Sequence, residues 1–408
     1  MFNKSQSMIR ELSMLTILTG ITSIISYCIT LAIANTLGAS DFGLYSYCMV
    51  WGNLISAIII FSTDLTAPAI YTKINNKQNI FNMVLSIRFF LFLISLFLIP
   101  VFLLKNQIIV FAVFTIMISA FNLSFFYEIS QKNISYSKVF FFERLAYILI
   151  VSGLIFFDLI DIKFVFITLF FVTLLSICVQ ISFFRSHFKN FTFVNTVKEK
   201  NSFFKDNLFI MIITLSTFMY GGFSRILIES KFGLEQLGIF SAGWQIILVV
   251  TIYQAQVTRV WRTKISSALV SKNINQLKEL VVNYISFSTL PIILFSLFVS
   301  IFSEEIVKII FTEEYGQLAS ILPIFSVYFV FINLEALSGI CWISIGSKKG
   351  YLLINLIFSL LLLTLLSLVP QSYGLSFFAL SITLIFALYN VFLLYIFYFR
   401  YIKNMLKN

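Results

Sequence analysis

The sequence predicts an all-α integral membrane protein with about 12 transmembrane helices. Its 408 residues are 60% hydrophobic and 11% charged, whereas soluble domains carry about 25% charged residues. Apolar runs of about 20 residues recur along the whole chain, and each is long enough to cross a bilayer as a helix. These runs are apolar on every side, which favours helices over the alternating pattern of membrane strands.

The predicted spans are separated by polar segments, most of them short. They cover, approximately, residues 12–34, 43–63, 80–104, 108–127, 139–157, 163–184, 208–228, 239–258, 281–302, 320–345, 351–369 and 375–398. The first run follows Lys4 and Arg10 but is too long for the apolar core of a signal peptide, so we expect it to be a retained first helix.

The basic residues predict the orientation. Most of the 28 lysines and arginines, Arg144 among them, are assigned to segments on one side of the predicted membrane. The other side holds only Lys105, Lys163, Arg225, Lys231 and Lys308. Because cytoplasmic loops carry an excess of Lys and Arg, we expect both termini in the cytoplasm. The same bias explains the net charge of +11 without a nucleic-acid partner.

One phrase occurs twice. The stretch LGASDFGLYSY begins at Leu37, and FGLEQLGIFSA begins at Phe232, so that at one constant offset Gly38 matches Gly233 and Gly43 matches Gly238. Each copy is predicted to form the outward turn between the first two helices of a set of six. We therefore expect a parallel internal repeat, which in transporters places the substrate path between the two halves.

The repeat and one polar, basic break predict the domain boundaries. The N-terminal six-helix lobe is predicted to cover residues 1–190, and a cytoplasmic linker follows at 191–207. The C-terminal six-helix lobe is predicted to cover 208–408.

Four ionisable residues in or near predicted spans are candidate site residues, since charges at membrane depth are costly and often functional. Arg88 and Arg225 are candidate substrate-translocation residues, and Arg225 follows a Gly221-Gly222 pair that can bend a helix. Glu335 and Asp64 are candidate ion-coupling residues. Structural alternatives are a snorkelling Arg88, a paired or protonated Glu335, and helix-end roles for Asp64 and Arg225.

Catalytic and cofactor motifs are not found. The sequence has no P-loop, no Gly-rich nucleotide fingerprint and no HExxH motif, and His187, its single histidine, is predicted to be a solvated loop residue. We therefore expect no enzyme activity, no cofactor and no metal.

Four stretches resemble, in the same order, the Wzx-type O-antigen and polysaccharide flippases of the multidrug/oligosaccharidyl-lipid/polysaccharide superfamily. They are LGASDFGLYSY, RILIESKFGLEQLGIFSAGWQI, IIFTEEYGQLASILPIFS, and SKKGYLLINLIFSLLLL with VPQSYGLSFFALSITL. This resemblance implies two six-helix lobes around a central cavity in a bacterial inner membrane. It also implies alternating-access transfer of an undecaprenyl-pyrophosphate-linked oligosaccharide, an O-antigen or capsule repeat unit, from the inner to the outer leaflet.

The resemblance suggests roles and partners. Arg88 would hold the pyrophosphate, and Glu335 would respond to a coupling proton or sodium ion. Partners would be the lipid-linked substrate, membrane lipids, and polysaccharide polymerase and chain-length proteins.

Two other functions remain open from the sequence. A cation-coupled multidrug antiporter of the same superfamily would share the fold, although cationic drugs favour an acidic cavity. A membrane polysaccharide polymerase or ligase has similar length and composition, but such enzymes usually need a larger outward loop than residues 303–319.

Overall fold

The computed structural model describes residues 2–74, 76–104, 106–193 and 197–402. Within these ranges the chain is almost entirely helical and forms no β-strand, which confirms the predicted fold class. The helices, in chain order, are α1 (Phe2–Ile60), α2 (Thr63–Ile74), α3 (Lys77–Leu96), α4 (Ile99–Leu103), α5 (Gln107–Ser119), α6 (Ser124–Ile129), α7 (Asn133–Phe156), α8 (Ile162–Phe183), α9 (Arg185–Lys189), α10 (Val197–Phe218), α11 (Ser224–Val270), α12 (Ile274–Tyr284), α13 (Leu290–Ile301), α14 (Ser303–Ile310), α15 (Leu318–Ser344), α16 (Lys348–Leu368) and α17 (Gly374–Phe397).

Ten helical segments in the described ranges are long and apolar enough to cross a membrane. Two of them, Leu18–Pro68 and Phe203–Thr251, have 51 and 49 residues. A straight helix of that length would measure roughly 75 Å, far more than a bilayer core of about 30 Å. Each of the two contains one glycine with non-helical backbone, so each corresponds to two of the predicted spans. The first segment has a further break at Phe61 and Ser62, near its end.

The two breaks lie at matching glycines of the repeated phrase. Gly38 has φ 77° and ψ 172°, and Gly233 has φ 86° and ψ 179°. This backbone region is open to glycine because a Cβ would be strained there. After the first break the amide of Ala39 donates to Oε2 of Glu314 at 2.8 Å, which provides an acceptor for the start of the resumed helix.

The chain divides into two compact units. Unit 1 comprises residues 1–32 and 45–215, and unit 2 comprises residues 33–44 and 216–408. Residues 33–44, the part of α1 around its glycine break, therefore belong with the C-terminal half of the chain.

Unit 1 is organised by helix pairs and an aromatic core. Helix α8 packs against α5 and α7, and α2 packs against α3 and α6. The rings of Phe81 and Phe126 are 4.8 Å apart, and those of Tyr127 and Phe184 are 4.7 Å apart. These four side chains are buried.

Unit 2 is built around α15, which packs against α11, α13 and α17. It also contains the meeting point of the repeated phrases. A Cβ on Gly43 would overlap the carbonyl oxygen of Leu234, and a Cβ on Gly238 would overlap that of Ala39. Each of these carbonyls lies four residues before the opposite glycine, so the two copies cross backbone to backbone with approximate twofold symmetry.

Two helix starts differ from the predicted boundaries. Helix α7 begins at Asn133 rather than 139, and Arg144 lies about halfway along it. Helix α10 begins at Val197, inside the segment predicted as a linker. In both places polar and charged residues extend an apolar helix, and sequence patterns that follow hydrophobicity miss such extensions.

Candidate functional site

Arg88 is fully buried in unit 1 and bonded through every nitrogen. Its Nε donates to Oγ1 of Thr63 at 3.0 Å, and its Nη2 donates to the same oxygen at 2.8 Å and to Oδ1 of Asp64 at 2.6 Å. Its Nη1 donates to the carbonyl oxygens of Ala120 and Asn122 at 2.7 and 2.8 Å. All five N–H donors of the guanidinium therefore have acceptors.

These contacts fasten two helix breaks. The first break lies between α1 and α2, where Phe61 and Ser62 have φ of 52° and 55°. The second break lies between α5 and α6. At the second break Arg88 donates to the carbonyl oxygens of Ala120 and Asn122. At the same break Oε1 of Gln180 accepts a hydrogen bond from the amide of Leu123 at 2.7 Å. Backbone groups freed within a membrane need such partners.

The structure therefore brings together two residues that were predicted to act separately. Arg88 and Asp64 form one ion pair, with the Asp64 side chain 28% exposed. With its donors occupied, Arg88 stabilises the broken helices in this conformation. Its contact with a substrate, and ion coupling by Asp64, stay predictions.

The other two predicted residues share a cavity in unit 2. This cavity has a volume of about 310 Å³ and is lined by Arg225, Glu335, Asn355 and mostly aromatic side chains. The aromatic residues are Phe218, Tyr220, Trp244, Tyr328, Phe386 and Tyr389.

The local backbone explains how Arg225 reaches the cavity. The chain forms a π-helical turn at Met219–Phe223 between α10 and α11, a feature that is frequent at functional sites. A Cβ on Gly221 would lie 2.8 Å from the Trp244 ring, so glycine permits this close approach. Arg225 then stacks 5.8 Å from the centre of the Trp244 ring.

Arg225 has few internal partners. Its Nε donates to the carbonyl oxygen of Gly221 at 2.8 Å, and among the described residues no carboxylate lies within ion-pair distance of it. The contrast with Arg88 is clear, because the terminal nitrogens of Arg225 have no acceptor in the described part of the chain. A guanidinium in this state can bind an anion through two parallel hydrogen bonds.

Glu335 lies in α15 and is partly exposed to the same cavity. Its Oε1 accepts a hydrogen bond from the hydroxyl of Tyr351 at 2.9 Å. Asn333, two residues earlier in α15, instead accepts hydrogen bonds from Tyr284 and Ser288 at 2.9 and 2.7 Å. Glu335 is thus a carboxyl group with one phenol donor, an arrangement suited to taking up and releasing a proton or a cation.

The aromatic lining forms one stacked group. The rings of Tyr328 and Phe386 are 4.5 Å apart, and Tyr220 lies 5.2 Å from Phe386 and 5.7 Å from Tyr389. The buried hydroxyl of Tyr220 has no hydrogen-bond partner in the described ranges. The lining therefore offers aromatic faces and one phenol donor to a bound molecule.

Sequence reasoning missed the aromatic residues of this cavity. Tyrosine and phenylalanine are so common in the chain, with 18 and 50 copies, that no spacing distinguishes the lining from lipid-facing positions.

The described residues also contain no group of three His, Cys, Asp or Glu side chains that could hold a metal ion.

No protein-family model matches the sequence, and no curated protein matches it. Solved structures do match over almost the whole chain. A multidrug resistance MATE family transporter of the MOP superfamily, in its inward-facing conformation, is 13% identical with a TM-score of 0.72, covering 95% of this chain and 96% of its own. A MATE transporter from Vibrio cholerae is 15% identical with a TM-score of 0.57, covering 100% and 99%.

A third similar structure is a MOP superfamily transporter from Pyrococcus furiosus, described as having a binding pocket of reverse polarity that suggests a different function. It is 12% identical with a TM-score of 0.55, covering 96% of this chain and 93% of its own. At these identities the similarity concerns the fold, and the chain has the two-lobed helical fold of MATE transporters.

Proposed function

We propose that this protein is a secondary transporter that moves amphiphilic organic compounds across a membrane by alternating access, in the manner of a cation-coupled antiporter. The observation that carries the proposal is the Arg225–Glu335 cavity within a chain of this fold. Aromatic walls accommodate the apolar part of such a compound, and the two charged residues provide a polar contact and a site for the coupling cation.

Transport by purified protein tests the proposal. In proteoliposomes a proton or sodium gradient should drive exchange of a fluorescent amphiphilic dye, and Glu335→Gln should abolish the dependence on the gradient. Glu304→Gln is the matched control, because Glu304 is 72% exposed on α14. A Glu335→Gln variant that still couples dye movement to the gradient would refute the role of Glu335.

Arg225 favours a second candidate function. A multidrug exporter for cations has little use for a guanidinium with free terminal nitrogens, whereas an anionic lipid-linked oligosaccharide offers the phosphate that such a group binds. The sequence motifs resemble flippases of this kind, and the similar Pyrococcus furiosus transporter suggests that pocket polarity differs among proteins of this fold.

Deleting the gene in its host separates the two candidates. For a flippase, surface polysaccharide should disappear while complete single units accumulate on the lipid carrier, and Arg225→Gln should reproduce the loss. For a multidrug antiporter, surface polysaccharide should be unchanged and the deletion strain should become sensitive to amphiphilic toxic compounds.

A further inference from the structure

A third arginine within the apolar helices, after Arg88 and Arg225, takes part neither in the unit 2 cavity nor in the helix breaks. Arg144 lies on α7 of unit 1, about halfway along the helix. The helix buries Ser137, Tyr147 and Val151, and Arg144 falls on the same face because it is seven residues after Ser137 and three before Tyr147. The opposite face carries exposed side chains such as Phe142 and Leu149, 62% and 65% exposed. Arg144 is therefore directed towards the protein rather than towards lipid.

The guanidinium of Arg144 has no close acceptor among the described residues. Its Nε is buried and has no hydrogen-bond partner within the described residues. One Nη lies 3.8 Å from Oε1 of Glu143, which is too long for a hydrogen bond, and the ring of Phe140 is 4.9 Å from the guanidinium carbon. Arg88, in the same unit, shows the alternative of complete hydrogen bonding. Burying a charged donor without an acceptor costs free energy. A bound group that accepts a hydrogen bond from Arg144 would offset that cost.

A second donor lies one turn further along α7. Tyr147 is 4% exposed, and its hydroxyl is buried without a hydrogen-bond partner in the described part of the chain. Tyr45 lies beside both Tyr147 and Arg144. Glu143, the nearest carboxylate, instead lines a separate cavity between α7 and α8. The cluster thus combines one guanidinium with two phenol hydroxyls, and no carboxylate of the described residues lies within hydrogen-bond distance of the guanidinium.

We propose that Arg144 and Tyr147 form a binding site for an oxyanion carried by an amphiphilic compound, such as a phosphate or carboxylate group. A guanidinium binds such a group through two N–H donors, and a tyrosine hydroxyl can donate to a further oxygen. The Arg144 side chain remains 30% exposed, which leaves an edge of it accessible to a ligand. The proposal rests on the proposed transport function for its biological meaning, although binding itself can be measured without transport.

Binding of dodecyl phosphate to the purified full chain tests the site. The apparent affinity is obtained from the shift of the thermal unfolding midpoint with ligand concentration. We expect Arg144→Gln to weaken binding at least about tenfold and Tyr147→Phe to weaken it several-fold, in line with the loss of charged and neutral hydrogen bonds. Lys138→Gln, which removes a charge from an exposed position of the same helix, should bind like the unmodified protein.

Further probes separate the sources of the signal. Inorganic phosphate tests the oxyanion without a chain, and dodecyltrimethylammonium tests the chain with the opposite charge. The Arg144-dependent signal should appear with both phosphate compounds and not with the cationic amphiphile. Arg225→Gln should leave the Arg144-dependent part of binding in place, because Arg225 belongs to the cavity of unit 2.

Equal affinity of Arg144→Gln and the unmodified protein for dodecyl phosphate would overturn the proposal. If Arg144→Gln does not fold, Arg144→Lys replaces it, because lysine keeps the charge but cannot donate two parallel hydrogen bonds. The proposal is also overturned if Arg144→Lys and Tyr147→Phe both bind dodecyl phosphate as tightly as the unmodified protein. Dye transport without Arg144-dependent binding would reject the binding site but not the transport function. Arg144-dependent binding without dye transport would reject the transport function but not the binding site.

Discussion

At the scale of single residues, the number of internal hydrogen bonds decides which arginine is structural. Arg88, Arg144 and Arg225 all interrupt apolar sequence, and the sequence cannot distinguish their partners. Arg88 donates five hydrogen bonds within unit 1, and Arg225 donates one within unit 2. Arg144 donates none to the described residues. A saturated guanidinium stabilises the fold, whereas an unsaturated one is available to a ligand.

Removing Arg88 should destabilise the protein. Arg88→Gln leaves Asp64 and the carbonyls of Ala120 and Asn122 without their donor, and breaking a buried ion pair from one side costs about 3–5 kcal/mol. Thermal unfolding in detergent measures the loss. Arg185→Gln, at an exposed position of α9, is the control and should unfold at the original temperature. Equal stability of both variants would show that the Arg88 network contributes little.

His187 should make stability depend on pH. Its Nδ1 lies 2.6 Å from Oε1 of Gln78, and burial together with the charges of Lys77 and Lys132 lowers the pKa of His187 below its usual value of 6.5. The unfolded chain therefore takes up a proton more readily than the folded protein, and stability should fall as pH decreases through 6.5 towards the folded pKa.

The comparison of the unmodified protein with His187→Gln from pH 8 to pH 5 measures this contribution. The unmodified protein should lose more of its unfolding temperature on acidification than the variant does. Parallel curves would mean that His187 does not supply the dependence. The prediction of a solvated loop histidine is also corrected here, because this ring packs 4.8 Å from Phe126.

At the scale of helices, the repeated glycines have two different tasks. Gly38 and Gly233 permit a backbone conformation that breaks the helix, while Gly43 and Gly238 permit two backbones to touch. The sequence repeat predicted that the four positions correspond in pairs. The repeat could not predict that the backbones at Gly43 and Gly238 are in contact, since a repeat carries no information about which copies touch.

Adding a methyl group at the crossing should be strongly destabilising. Gly43→Ala or Gly238→Ala would force a Cβ against a main-chain carbonyl that cannot move aside, so we expect either variant to lose several kcal/mol or fail to accumulate. Gly20→Ala and Gly153→Ala are matched controls because no atom lies within 4 Å of the added Cβ. These controls should be neutral or more stable by up to about 1 kcal/mol, since alanine favours helix.

The measurement is the yield and thermal unfolding of each variant after purification in the same detergent. Normal yield and stability of both crossing variants would show that the two backbones are not in contact in the membrane.

At the scale of the whole molecule, the structure bears on topology. Two helical segments of 51 and 49 residues each contain one glycine break, so twelve crossings follow if each break is a turn at the membrane surface. The exposed residues after the breaks, Ser40 and Glu235, should then face outward.

Labelling with a membrane-impermeant thiol reagent tests this topology in a chain without its four native cysteines. Ser40→Cys and Glu235→Cys should react from outside the cell, and Ser271→Cys, between α11 and α12, should react only after the membrane is opened. Reaction of Ser40→Cys and Ser271→Cys from the same side would contradict the predicted arrangement.

The sequence by itself determined the class of structure and its coarse plan. Apolar runs require helices because a bilayer offers no partners to the backbone, and the duplicated glycines indicated equivalent breaks in two halves. It also singled out Arg88, Asp64, Arg225 and Glu335, because charge in apolar sequence is visible without coordinates.

Only the tertiary structure decided which of those charges have partners. Hydrogen bonds between helices depend on contacts distant in the chain, such as that between Arg88 and the carbonyl of Ala120, and no local pattern encodes them. The same reason explains why the aromatic lining of the unit 2 cavity was missed. Composition and periodicity predict which segments are membrane helices. Whether a polar side chain in such a helix has an internal hydrogen-bond partner depends on how the helices pack.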